Sequence, residues 1–381
     1  MGKKTASNGV KSPAKTNGAV KEQQQPAETQ QRRKQNVFQK FFITVLVGVL
    51  AVAAALMFQR WNTERGAERA LYDDLKGKDY PFEMRWVKDK GMGLFATRKI
   101  NRGDRVITEK PLFALSTEVN SPPEKVLRDA LAELSKEDRA RYMRLGNANL
   151  HSDPAVSIFQ TNAVSLGSGK AGVAPTFCRL NHACLGGFNV VYTHRDVEGD
   201  IIVQAVRDIQ VGEELLTTYT DTLVPTAERR AYLKKVYNFD CECSACTRTP
   251  SELAASDKRM HEHRDLMRKF ASWGRKEITG KEAIAVGKRI WNIRYNEENP
   301  PYASTKGQLL ADMAHVCAAH KADMATVQYA EGAAKWFGTE IGHDSQQFKD
   351  QVKILSLGPA MHPHFGTRAK EDIEGPGGGA F

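Results

Sequence analysis

The sequence predicts an α+β chain in which a β-rich domain precedes an all-α domain, both behind a single N-terminal apolar helix. Three observations carry this. Between residues 82 and 114, and again from 155 to 220, short apolar runs alternate with glycine turns, as in KGMGLFAT and IIVQAVRDI. Beyond residue 247, apolar residues recur at helical spacing to about residue 355. Residues 41–58, FFITVLVGVLAVAAALMF, hold no charge and only Thr44 as a polar side chain.

The N-terminal 40 residues carry nine Lys/Arg against two Glu, so +7 of the net +10 lies there and +3 is left for the rest. This Lys-, Gln-, Ser- and Asn-rich tail cannot bury a core and reads as disordered. With the excess charge confined to a tail, direct nucleic-acid binding by the folded part is not expected. As a helix, the apolar stretch 41–58 would extend about 27 Å, close to a bilayer core. It therefore predicts a transmembrane helix and a single-pass membrane protein of the endomembrane system or nuclear envelope. Five Lys/Arg lie in residues 21–40 and five in 59–78, so the near flanks do not orient it.

Residues 59–81 read as a charged juxtamembrane linker. Leu127, Leu131 and Leu134 recur at helical spacing within 121–145, and Ser135 with Asp138 resembles a capping box. The region 248–357 predicts stacked helical hairpins. Its stripes are Leu309, Leu310, Met313, Ala314 and Cys317; then Ala330, Ala333, Ala334 and Phe337; then Phe348, Val352 and Leu355. Residues 358–381 end in EGPGGGAF and read as a flexible tail. His261, His263, His362 and His364 read as surface residues.

The chain has six cysteines, three of them in VYNFDCECSAC at C-x-C-x2-C spacing. The triplet, Cys241, Cys243 and Cys246, suggests a metal site rather than disulfides. Structural zinc takes four protein ligands, so a fourth must come from elsewhere. Spacing does not choose among Cys178, Cys184 and Cys317. Metal-bound thiolates need a reducing environment, which predicts that this domain faces the cytosol.

RLNHAC (179–184) resembles the NHxC motif of SET-domain protein-lysine methyltransferases. GEELLTTYTD (212–221) resembles their GEEL-x-x-x-Y motif, GMGLFATRKINRGDRVITEKPL their opening GxG strand pair, and VYNFDCECSAC their post-SET zinc segment. The four occur in family order between residues 82 and 246. TNAVSL before NHAC and the helical region after the cysteines resemble the SET and MYND type and fungal SET proteins. No cysteine lies in 115–150, where a MYND finger would sit.

The resemblance implies a SET fold with a knot-like crossing over 82–221, a helical insert at 121–150 and a post-SET zinc segment at 222–247. A tetratricopeptide-like helical domain would follow and could receive a protein partner. The implied reaction is methyl transfer from S-adenosylmethionine to the ε-amine of a protein lysine, histone or non-histone. Tyr219 matches the catalytic tyrosine and Tyr237 a wall of the lysine channel. Phe239 matches the aromatic that stacks on adenine, and Asn181 and His182 match cofactor contacts. Gly91 and Gly93 would let backbone approach the cofactor, and Asn162 would hold its amino-acid end. Cys184 would complete the zinc site with Cys241, Cys243 and Cys246, and the zinc would clamp the aromatic pair over the active site. Without the neighbouring motifs, Tyr219 would read as a strand-end core tyrosine and His182 as a satisfied buried histidine.

One departure stands out. The family pattern NHxCxPN is replaced here by NHACLGGFN. Two substitutes for the missing brace are open: Asn189, or a turn rebuilt on Gly186 and Gly187. This departure motivates a rival reading, a catalytically degenerate SET-like scaffold anchored in a membrane.

Overall fold

The computed structural model describes residues 78–377 apart from 119–121, 149 and 298–304, together with Leu75 and four isolated positions between 52 and 57. Three small sheets build the β-rich part. β1 (Phe82–Val87) and β2 (Gly91–Ala96) form a hairpin whose turn uses positive φ at Asp89 and Gly91. β2 also pairs antiparallel with β10 (Glu214–Thr217), and β10 pairs parallel with the two-residue β7 (Asn181–His182), giving the order β1-β2-β10-β7. The second sheet is β3-β9-β8, from Arg105–Glu109, Asp200–Ala205 and Val190–Arg195. The third is β4-β6-β5, from Phe113–Ser116, Lys170–Val173 and Val164–Gly167. Leu94, Ile107, Ile201, Val203 and Leu215 form one buried core beneath the first two sheets.

Between β4 and β5 lie α1 (Pro123–Ala132), α2 (Lys136–Met143) and α3 (Pro154–Asn162). Ser135 caps α2 by accepting the Asp138 amide, as its sequence position suggests. Asp153 caps α3, with Pro154 at the first turn where its missing N–H leaves no bond unmade. Leu127, Leu131, Tyr142 and Ile158 give this insert its own core.

Three further differences bear on the site. Residues 226–237 form a 12-residue helix, α4 (Thr226–Tyr237), inside the segment read as a zinc loop. Its text, TAERRAYLKKVY, buries little beyond Thr226, Arg229 and Leu233, so it lacks the apolar stripe that announces a helix. After it, α5 (Pro250–Ser272), α6 (Gly280–Glu297), α7 (Thr305–Ala319), α8 (Asp323–Glu340) and α9 (Gln346–Leu357) pack each on the next. The stripes of α7 and α8 are buried, but the third is rotated: Gln351 and Ile354 face inward and Leu355 is exposed. Finally, residues 359–377 are strapped onto the helices. Gly366, Arg368 and Glu371 donate backbone bonds to the carbonyls of Ala318, Ala319 and His320. The Glu371 carboxylate accepts from the Gly280 and Lys281 amides at the start of α6, and Ile373 enters the core. A Gly-rich text concealed these anchors because most of them are backbone groups.

The expected membrane protein does not stand. Among the described residues no helix is long and apolar enough to cross a membrane. The longest, α5, has 23 residues but is studded with charge (PSELAASDKRMHEHRDLMRKFAS). The stretch 41–58 lies outside the described residues except at four positions. His263 is likewise not a surface residue: it is buried and accepts a hydrogen bond from Arg294 Nε at 3.1 Å.

Candidate active site and cysteine centre

The parallel pairing of β7 with β10 places Leu216 beside Asn181 and Thr217 beside His182. The two residues after β10 then carry Tyr219 back over the histidine. The Tyr219 amide donates to His182 Nδ1 at 3.0 Å. A backbone N–H can only donate, so Nδ1 is the acceptor and the imidazole proton sits on Nε2. That Nε2–H faces Cys184 Sγ at 3.2 Å. Burial pushes the His182 pKa down to about 4, which keeps this tautomer neutral at pH 7. The Tyr219 hydroxyl donates to the Leu180 carbonyl at 2.6 Å, and burial raises its pKa well above the ordinary range. It therefore serves as a neutral, oriented hydroxyl.

The altered turn after Cys184 is rebuilt in both of the ways left open. Gly186 adopts φ +79° and the Gly187 amide closes on the Cys184 carbonyl at 2.9 Å. Asn189, 1% exposed, spans to β10: its Nδ2 donates to the Glu214 carbonyl and its Oδ1 accepts the Leu216 amide, each at 2.8 Å.

Cys184, Cys241, Cys243 and Cys246 come together, their sulfurs all within 4.8 Å of one another. Cys184 Sγ lies 4.0 Å from Cys241 Sγ and 3.7 Å from Cys246 Sγ. A tetrahedron with Zn–S bonds of about 2.3 Å has edges of about 3.8 Å, so the donor set fits zinc. Neither Cys178 nor Cys317 joins it. Cys178 Sγ faces the Asn162 carbonyl, and Cys317 is buried among the helices. The Cys184 amide donates to Cys243 Sγ at 3.3 Å, which together with the His182 Nε2–H supplies N–H donors suited to thiolates.

The sulfurs and Leu233 form a small core against which Tyr219, Tyr237 and Phe239 pack. Tyr237 ends α4; Asn238 reverses the chain in the left-handed conformation (φ 56°, ψ 34°), and Phe239 follows. The ring centroids of Tyr219 and Tyr237 are 4.9 Å apart, and those of His182 and Phe239 are 6.0 Å apart. Burial raises Tyr237 to about 12.

The remaining expected residues divide. Gly93 is needed for space: a Cβ there would meet Glu214 Oε1 at 2.7 Å and Asn181 Nδ2 at 3.0 Å. Gly91 has nothing within 4 Å and is needed for its φ of +80° instead. Asn181 Nδ2 donates to Glu214 Oε1 at 2.7 Å, while Asn162 Nδ2 donates to the carbonyls of Gly146 and Ile158. Both asparagines are buried. The Asn162 carbonyl accepts from Cys178 Sγ at 3.4 Å. Glu214, which also lies 4.0 Å from Lys90 Nζ, was present in the GEEL motif but had no assigned part.

Comparison with known proteins follows this geometry. Residues 91–220 match the SET domain. The histone-lysine N-methyltransferase set5 of Schizosaccharomyces pombe is 33% identical over 186 residues, covering 48% of this chain and 53% of that protein. The N-lysine methyltransferase SMYD2-B of Danio rerio is 41% identical over 75 residues, covering 20% of this chain and 16% of its own length. The histone-lysine N-methyltransferase SMYD3 of Homo sapiens is 39% identical over 75 residues, again 20% of this chain and 17% of that protein. The chain thus spans about half the length of the first and a sixth of the other two. The SET domain here is followed by a helical region, and the relatives it matches are named as protein-lysine methyltransferases.

Proposed function

We propose that this chain transfers a methyl group from S-adenosylmethionine to the ε-amine of a protein lysine, with zinc held by Cys184, Cys241, Cys243 and Cys246. The observation that carries it is Tyr219: a neutral hydroxyl tied to the Leu180 carbonyl, its ring against Tyr237, at the foot of the cysteine centre. The cofactor, when bound, supplies an electrophilic methyl group on a sulfonium. Tyr219 and Tyr237 would form walls of an apolar lysine channel, where desolvation would drive an ammonium with an ordinary pKa near 10.4 to shed its proton. Tyr219 orients the neutral amine for in-line attack, and such alignment supplies much of the rate. Phe239 offers a face for adenine, Gly93 with Asn181 and His182 cradles the cofactor, and Asn162 holds its amino-acid end. Gly91 sets the hairpin turn beside this cradle. Zinc would lock the loop after α4 so that Tyr237 and Phe239 stay in place.

The parallel pairing of β7 with β10 is consistent with the knot-like crossing that the resemblance implies, and α5–α9 would form a tetratricopeptide-like array suited to a protein partner. Histone and non-histone lysines are both candidate substrates. The degenerate-scaffold reading drew on the altered turn; the Asn189 bonds to β10 favour the enzyme reading. The test is to incubate the purified full chain with methyl-labelled S-adenosylmethionine and cell lysate. The parent should label protein lysines, and Tyr219→Phe should cut the rate by about a hundredfold, the scale of a lost transition-state hydroxyl contact. Equal labelling by both would overturn the assignment of Tyr219.

A further inference from the structure

We propose that Glu109 is a positioning residue for Tyr219, acting through the turn at residues 176–180. Glu109 ends β3, near the end of the ITEKPL stretch, where the motif resemblance gives it no part. It is 8% exposed, yet its carboxylate takes three backbone contacts from another part of the chain. Oε1 and Oε2 accept the Thr176 amide at 3.1 and 3.0 Å, and Oε2 accepts the Phe177 amide at 2.9 Å. Arg141 of α2 approaches Oε1 at 3.7 Å. These are the leading amides of a short 3-10 turn, Phe177–Arg179, which has no side-chain cap of its own. A buried carboxylate from a distant strand therefore does the work that a local cap does elsewhere.

The turn reaches Tyr219 directly. The Leu180 amide closes on the Phe177 carbonyl at 3.0 Å, and the Leu180 carbonyl accepts the Tyr219 hydroxyl. Where Phe177 goes, the acceptor of the tyrosine proton goes. The acceptor in turn sets the direction of the remaining lone pairs on the Tyr219 oxygen. Glu109 touches neither tyrosine nor ligand, so its part is to fix that carbonyl. Arg141 ties the same carboxylate to the helical insert, so a shift of α2 would be felt at Tyr219 by this route.

The catalytic consequence rests on the methyltransferase reading, but the geometric one does not, and the experiment separates them. Full-length, zinc-loaded protein is prepared with ¹³Cζ-tyrosine as parent, Glu109→Gln and Glu109→Asp. Glu109→Gln removes the charge and, with its oxygen left on the two amides at the Oε2 position, sets an –NH2 against the Thr176 N–H and the Arg141 guanidinium. Glu109→Asp keeps the charge but withdraws it by one bond, about 1.5 Å, and carries the test if the first variant does not fold. The Tyr219 resonance, assigned by its loss in Tyr219→Phe, should move in both variants, while that of Tyr329 in the helical core should not. A Tyr219 resonance unmoved in a folded variant overturns the proposal. In the transfer assay, Glu109→Gln should slow turnover about thirtyfold in the parent, but less than about threefold in the Tyr219→Phe background, the non-additivity of residues acting as a unit. Equal losses in both backgrounds also overturn it. If the parent transfers no methyl group, the methyltransferase reading fails and the resonance decides for Glu109 alone.

Discussion

Asn189→Ala tests the rebuilt turn directly. Asn189 is 1% exposed, and its amide bonds two backbone groups of β10, the Glu214 carbonyl and the Leu216 amide. Its own amide and carbonyl bond Leu216 and Val206, and the substitution leaves those intact. What is lost is confined to the side chain. Two buried backbone groups would be left without partners, each costing about 1–3 kcal/mol. A small cavity adds a little, and a trapped water would return part, so a net loss of about 2–4 kcal/mol is expected. The assay is urea unfolding of the zinc-loaded chain, with the parent slope as control. Asn189→Asp adds a second comparison: it keeps the acceptor for Leu216 but sets a carboxylate against the Glu214 carbonyl, so at pH 7 it should be as damaging as alanine. A loss below about 0.5 kcal/mol for alanine, the range of an ordinary surface change, would refute the brace.

Three further outcomes follow from other parts of the structure. Gly93→Ala would force its Cβ to 2.7 Å from Glu214 Oε1, so S-adenosylmethionine affinity by calorimetry should fall by about tenfold or more, a change of about 1.4 kcal/mol. Parent-like affinity would mean that the Asn181–Glu214 pair is not part of the cradle. Elemental analysis should give one zinc per chain, and Cys184→Ser should lose most of it and speed proteolysis after Tyr237; structural zinc contributes about 10–16 kcal/mol to such segments, so metal-free protein with an intact loop would contradict the site. Asp344 pairs with Arg105 at 2.9 Å and Arg195 at 3.0 Å; burial opposes its ionisation, but the two arginines prevail and hold its pKa at about 2. Because the folded value lies below the ordinary 3.8, the stabilisation is complete above that pH and vanishes as the pH falls through about 2. With Asp344 47% exposed, Asp344→Asn should cost no more than about 1 kcal/mol at pH 7 and progressively less as the pH falls towards 2, as read by urea midpoints.

What could be read from the sequence, and what could not, divides by the kind of group involved. The four cysteines were legible because zinc chemistry demands thiolates in a tight spacing, and Cys184 was chosen by its motif rather than by its position in the chain. Tyr219, Tyr237 and His182 do lie together, as four ordered motifs led one to expect. The Leu180 carbonyl was not legible, since every residue has a carbonyl and only the fold decides which one meets a tyrosine. Glu109 was hidden in the same way, as a carboxylate in an ordinary strand whose partners are amides nearly seventy positions on. Helix α4 escaped because its packing rests on Leu233 and the sulfurs, not on an apolar stripe. The apolar run at 41–58 shows the converse: a strong local pattern prompted a membrane assignment that no helix among the described residues supports. Hydropathy reports what a segment prefers to avoid. The placement of Tyr219 depends on backbone groups that hydropathy does not see, which is why its support runs through Leu180, the 176–180 turn and Glu109.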